Sequence, residues 1–448
     1  MDGQAPLAYG GMSVTTALAH RSPANAPPAP PADGLLRRVG NLRHHSPGRL
    51  QLILAALITL TLLTGLVSGL TAHAASSGTT DLGERAQPLL AESEKVYTSL
   101  ADADTTAAQA FLAGGLEPAA LTRRYDDDLA RAGTALTRAS RMVPADSEAG
   151  NAIEALSTGI ARYAALVATA RATNRQGLPI GASYLSAASQ LNRDTLQPQA
   201  QQLFRTAGDE LGESYDAARS SWWLMLLLIL FVALGVALFW SQGYLSRTTR
   251  RTFNVPLVAA TGLIAVLVLL STSIFANQRT HLSAADAQGS RPVAALAQMR
   301  ILMLSERADE ALTLAARGAA DHEADFTTAR DGIDFDDPRL TYAQAQVYQA
   351  ARLHDDYLAL HEQVQRLNQS GDYDKAVQLA ISAETSKRFT ALTDTMNTAI
   401  TDRTDAFTGQ IKDAGDGLDL LTVLGPLLAL AACALAVIGI RARLEEYR

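Results

Sequence analysis

Polar residues almost vanish from four stretches of the chain, 50–72, 222–240, 255–275 and 418–440. Each is 19 to 23 residues long. A helix needs about 20 apolar residues to cross a hydrocarbon core of about 30 Å, so each stretch is expected to span a membrane. Asp419 lies only at the lip of the fourth. Pro256 and Pro426 are expected near span ends, where a lost backbone hydrogen bond is easiest to tolerate. Trp222 and Trp223 at one end of the second span and Trp240 at the other fit an interfacial aromatic belt.

The segments between the spans, 73–221 and 276–417, alternate differently. Leu89, Val96, Leu100, Ala103, Ala107 and Phe111 recur at three-, four- and seven-residue steps, as do Ile153, Leu156, Ile160, Tyr163 and Val167. Leu353, Tyr357, Leu360, Val364 and Leu367 repeat the pattern in the second segment. These stripes predict helices that bury one face against neighbours, and alternating strand-like runs do not occur. Breaks fall at Gly114-Gly115 with Pro118, at Pro144 and at Gly177-Leu178-Pro179. In the second segment they fall near Gly318, at Asp336-Asp337-Pro338 and at Gly371. Each segment therefore reads as four antiparallel helices, the first and last continuous with the spans. At 1.5 Å per residue, about 35 residues carry the tip roughly 50 Å from the membrane.

The two halves also align with each other. An offset of 204 pairs Pro88 with Pro292, Leu100 with Leu304, Ala107 with Ala311 and Gly114 with Gly318. An offset of 194 pairs Gly177 and Leu185 with Gly371 and Leu379. A duplicated unit of span, helices and span accounts for both. The expected fold class is all-α: four transmembrane helices and two external antiparallel four-helix bundles.

Arginine sets the orientation. Arg37, Arg38, Arg43 and Arg49 precede the first span, Arg247, Arg250 and Arg251 fill the loop 241–254, and Arg441 and Arg443 follow the fourth span. These segments are expected on the cytoplasmic side, with both termini, at the plasma membrane. The long segments then lie outside, and both are acidic, with 13 basic against 18 acidic residues and 14 against 22. Residues 1–49 form a tail whose composition, with seven prolines up to position 47, predicts disorder, and 441–448 form the other tail. Ala72-His73-Ala74 resembles a cleavage site, but the first apolar stretch is about twice the 7–15 residues of a signal peptide, so an uncleaved span is expected.

Composition narrows the chemistry. The chain has 448 residues, a net charge of −7 and one cysteine, Cys433, inside the fourth span. That excludes a disulfide framework or a cysteine metal site, and the charge disfavours nucleic acid. No nucleophile motif, Gly-rich phosphate loop or paired catalytic group is found, so neither an enzyme nor a cofactor is expected. His354 and His361 share a helix face, with Asp355, Asp356 and Glu362 nearby, but a solvated polar face is the expectation over a metal site. Asp126-Asp127-Asp128 is likewise expected on the surface. Asp321-His322-Glu323 with Asp325 suits a helix start. Arg123 and Arg124, and Arg175 near a tip, could bind a carboxylate or an acidic partner. Asp321, Glu323, Asp372 and Asp374 make the second tip acidic, better suited to a basic patch on a protein. Arg247, Arg250 and Arg251 are candidates for anionic lipid or a cytoplasmic partner.

An external four-helix bundle between two spans resembles the ligand-binding module of bacterial chemoreceptors. Residues Gly371-Asp372-Tyr373-Asp374-Lys375-Ala376-Val377-Gln378-Leu379 are similar to the turn that opens the fourth helix of such bundles. No HAMP-like linker or output domain follows a span. Over residues 50–440 the layout and composition resemble the GlnX-type membrane proteins of actinobacteria. That resemblance implies a transducer that relays extracellular glutamate or aspartate from a substrate-binding lipoprotein to a cytoplasmic serine/threonine kinase. The alternative is a non-switching scaffold or accessory subunit of an envelope or transport complex. A homodimer is compatible with either.

Overall fold

The computed structural model describes residues 46–114, 117–219, 222–249, 254–317 and 322–445, and its regular structure is helical without a strand among them. Helix α1 (Ser46–Asp81) runs through a wide turn (Leu82–Ala86) into α2 (Gln87–Leu112). Helices α3 (Ala119–Ala139), α4 (Glu148–Arg175) and α5 (Ile180–Leu191) follow, then a second wide turn (Asn192–Leu196), α6 (Gln197–Arg219) and α7 (Trp222–Thr249). The second half begins with α8 (Val255–Ala285), a third wide turn (Asp286–Ser290) and α9 (Arg291–Ala315). It continues with α10 (Glu323–Asp331), a 3₁₀ turn (Pro338–Ala343), α11 (Gln344–Gln369), α12 (Tyr373–Ala380), α13 (Ala383–Gly415) and α14 (Leu418–Glu445). The four helices long and apolar enough to cross a membrane include α1, α7, α8 and α14.

The wide turns have one cause. Pro88, Pro198 and Pro292 each stand two residues beyond a π-helical turn. A proline offers no N–H, and its ring meets the carbonyl four residues earlier. Here the residues four back, Glu84, Asp194 and Gln288, lie inside the widened turns. The chain bonds i to i+5 there, as from the N–H of Gln87 to Leu82 and of Arg291 to Asp286, and continues as one rod instead of kinking. The first and third turns are 204 residues apart, the offset at which Pro88 and Pro292 align.

Side-chain caps and glycine turns delimit several of the other helices. The Ser147 hydroxyl accepts from the Gly150 N–H at the start of α4, and Ser382 caps α13 through the Thr385 N–H. Gly114 (φ 83°) and Gly177 (φ 73°) reverse the chain beyond α2 and α4 in a conformation that any Cβ would strain. The last helix of the second half is not continuous. It breaks at Ile381-Ser382 and again at Asp416-Gly417, before α14.

The membrane helices pack through small residues. Helix α1 lies along α14, α14 along α8, and α1 along α7. A Cβ on Gly65 would overlap that of Ala429, and one on Gly69 would come within 3.0 Å of the Pro426 ring. Close approach of this kind replaces the hydrophobic drive that lipid removes. Pro426 is thus inside α14, not near its end as the sequence implied, and it fills the groove that Gly65 and Gly69 leave.

The two sets of helices outside these spans are not separate bodies. Leu82, Leu89, Leu100, Tyr163 and Leu203 share one buried cluster with Leu282, Leu312, Phe407 and Ile411 of the other half. At its centre α2 and α9 run in parallel, joined by the Thr105 hydroxyl donating to the Leu304 carbonyl at 3.0 Å. Flanked on several sides, these two helices bury most of their positions, polar ones included. The expectation of a single buried stripe fails for this pair because its polar face is covered by its twin.

Candidate functional site

A helix that buries all its faces must satisfy its polar side chains internally, because an unpaired buried charge is costly. The α2–α9 seam does so by charge exchange across the two halves. Asp102 on α2 accepts from Arg300 on α9 at 2.6 Å, and both are under one-tenth exposed. Arg193, in the second wide turn, bonds Asp309 on α9 and lies 3.5 Å from Asp104 on α2. Asp104 also accepts from Ser189 at 2.6 Å and from the buried Tyr163 hydroxyl at 3.4 Å. Burial raises the Asp309 carboxyl to about 6 even beside Arg193. Asp128, fully buried at the α2–α3 contact, rises to about 7 through burial and the neighbouring Asp102.

A second string of charges runs from α9 into the second half. Glu306 lies 2.8 Å from His354, and Glu310 lies 2.8 Å from His361. Arg307 bonds Glu310 and the Ala380 carbonyl and sits over the Tyr357 and Phe389 rings. Phe326 stacks on His361 at 3.7 Å between ring centres. Burial raises Glu306. Burial opposes the charged form of His361, but its bonds to Glu310 and the pull of Glu323 outweigh that and raise it. The histidines are therefore buried partners of carboxylates, where a solvated face was expected, and Asp128 is no surface residue. In each case the covering helix comes from a distant part of the chain.

Beside the seam a groove of 740 Å³ opens where α2, α3, α9 and α13 meet. Asp102 and Arg300 line it, with Glu94 and Lys95 of α2 and Arg123, Arg124 and Asp127 of α3. Arg124 approaches Asp102 to 3.7 Å, while Arg123 is exposed without an ion pair among the described residues. Among the described residues, one buried oxygen of Asp102 accepts no hydrogen bond and the buried Nε of Arg300 donates none. Burial raises Glu94.

The other sequence candidates scatter. Arg175 is exposed at the end of α4, next to a tip cavity of 660 Å³ lined by Phe111, Asn174, Gly177 and Arg317. Glu323 opens α10 and bonds His361 at 3.3 Å; Asp372 pairs with Lys375 at 3.0 Å; Asp374 is exposed in the first turn of α12. Asp321, Arg250 and Arg251 lie outside the described residues, and Arg247 is placed only as a residue of α7. Asp309, His322 and Asp325 bring one ligand atom each within 4.8 Å, the sole such trio among the described residues, but Arg193 already holds Asp309. Arg300, Asp102, Glu94, Arg193 and Asp309 were missed from the sequence. The signal of all but Arg193, charges set inside the apolar stripes of α2 and α9, has meaning only once the two helices are known to pair.

No curated protein and no solved structure matches this chain. Residues 78–216, the four-helix stretch from the end of α1 through α6, match the family model described as an actinobacterial sensor domain. With four candidate membrane helices, the chain fits an actinobacterial sensor membrane protein with a sensing or signalling role.

Proposed function

We propose that this chain is a non-catalytic transmembrane signal transducer that reports extracellular glutamate or aspartate to a serine/threonine kinase inside the cell. A substrate-binding lipoprotein delivers the signal outside. Rods continuous with α1 and α8 carry it inward, and the arginines around 247–251 present it to the kinase and to anionic lipid. The observation that carries this reading is mechanical. Two uninterrupted rods, 50–112 and 255–315, join membrane-spanning stretches to a seam of buried charge pairs. A packed seam with discrete pairings switches between states, whereas a uniformly apolar one has little to switch. Shifts of an ångström or two along such rods reach the far side of the membrane without loss in a flexible joint.

The test is crosslinking and co-purification of the full chain from its native membranes, with and without added glutamate or aspartate. Recovery of a binding lipoprotein and a kinase, in amounts that change with the amino acid, is expected. Recovery of envelope or transport subunits alone, unchanged by either amino acid, overturns the relay and leaves a scaffold.

A further inference from the structure

We propose that the groove between α2, α3, α9 and α13 binds a small zwitterion whose cationic and anionic groups lie a few ångströms apart, such as a free α-amino acid. The inference deepens the sensor reading and rests on it for its consequence, though not for its chemistry. Its volume of 740 Å³ falls within the range of about 300–1,000 Å³ typical of small-molecule sites. Its lining carries five cationic and five acidic side chains, so a purely anionic or purely cationic ligand meets as much repulsion as attraction. The floor is formed by two oppositely charged side chains, each over nine-tenths buried and each with a polar atom that makes no hydrogen bond among the described residues: Arg300 Nε, a donor, and Asp102 Oδ1, an acceptor from which Arg124 Nη2 stands off at 3.7 Å, beyond hydrogen-bond reach. Buried polar atoms are nearly always paired, and the exceptions call for a partner.

Arg300 Nη2 donates to Asp102 Oδ2 at 2.6 Å, which holds the two side chains, and with them the unmet Nε and Oδ1, on one floor. A carboxylate toward Arg300 and an ammonium toward Asp102 and Glu94 satisfy both at once. Arg124, half-exposed at the rim, offers the carboxylate a second fork. Leu90, Val293 and Ile400 give an aliphatic side chain an apolar wall. Asp102 belongs to the first half of the chain and Arg300 to the second, so one ligand grips both central helices.

The full chain in lipid nanodiscs is titrated calorimetrically with glycine, L-glutamate and L-arginine, and with propionate and ethylammonium as single-charge controls. At least one amino acid binds with a Kd at or below about 1 mM, and the controls do not. Arg124→Gln, which removes a half-exposed charge without setting a carboxylate beside Asp102, weakens binding about tenfold in a protein whose thermal melt shows it folded, a typical loss for one charge-assisted bond. Arg300→Lys weakens it less than Arg300→Gln, which abolishes it. No binding by any of the three amino acids, equal binding of the controls, or binding that Arg124→Gln leaves intact overturns the site. The sensor reading is tested separately, by disulfide trapping across the Ser76–Asp419 contact of α1 and α14 in native membranes. Binding without movement there leaves the site standing and contradicts the sensor. Movement on amino-acid addition without binding to the pure chain does the reverse.

Discussion

Arg193, like Arg300, is a cation that ties the two halves together, and Arg193→Met tests what its tie is worth. The substitution keeps the apolar stem and removes the charge. Asp104 retains Ser189 at 2.6 Å and Tyr163 at 3.4 Å, but Asp309 is left 1% exposed without its Arg193 hydrogen bond. Removing one partner of a buried pair costs about 3–5 kcal/mol. Asp309 can escape by taking a proton, at a cost of about 1.4 kcal/mol for each pH unit above an unfolded value of about 3.9. At pH 7.5 that escape costs about 5 kcal/mol, so it offers no relief. At pH 5 it costs only about 1.5 kcal/mol, and the wild-type group, raised to about 6, is already largely protonated. The variant should therefore lose about 3–5 kcal/mol at pH 7.5, about 3–5 °C in the melting temperature of a chain this long, and less than half of that at pH 5. Asp309→Asn added to Arg193→Met should restore most of the loss at pH 7.5. The assay is thermal unfolding of the full chain in nanodiscs, followed by tyrosine near-ultraviolet dichroism. An equal penalty at both pH values, or no rescue by the second change, refutes the reasoning.

Asp128, Asp309, Glu306 and His361 all hold their protons more tightly folded than unfolded. For the carboxylates stability rises as pH falls from about 7 toward 4; for His361 it is complete below about 6.5 and lost as pH rises through the raised value. The melting temperature of the full chain should accordingly be higher at pH 5.5 than at pH 8, and an unchanged or lower value would contradict the buried seam. In the membrane, Gly65→Leu should destabilise the α1–α14 crossing by about 1–3 kcal/mol, whereas Gly235→Leu, with nothing near its Cβ, should be silent in the same steric-trapping assay. Leu304→Ala, at a 1% exposed position of α9, should cost about 2–5 kcal/mol, measured by the same thermal melts.

Much of this architecture is legible in the residue pattern because the signals are local. Twenty apolar residues in a row specify a span, and Leu89 through Phe111 specify a helix face, without reference to anything distant. The glycine turns at Gly114 and Gly177 are equally local. What escapes the sequence is long-range. Pro88, Pro198 and Pro292 do not by themselves tell that the helices run on through them by widening one turn. His354, His361 and Asp128 look solvated because their own neighbours are polar, while the residues that bury them stand some 20 to 50 positions away. The groove needed α2 and α9 side by side before Asp102 and Arg300, 198 positions apart, could be seen as a pair. Only Arg123 and Arg124 among the sequence candidates line it.

The claim that an external event moves α1 against α14 is tested most directly by disulfide trapping in living cells. The Ser76 hydroxyl donates to Asp419 at 2.8 Å where these helices meet. Ser76→Cys with Asp419→Cys, in a Cys433→Ala background, places two thiols at that junction. Gln202→Cys with Glu148→Cys, a 2.6 Å contact between α4 and α6, is the control. Addition of glutamate or aspartate to starved cells should change the trapping rate of the first pair several-fold and leave the control unchanged. Equal rates for the first pair with and without either amino acid would contradict the account.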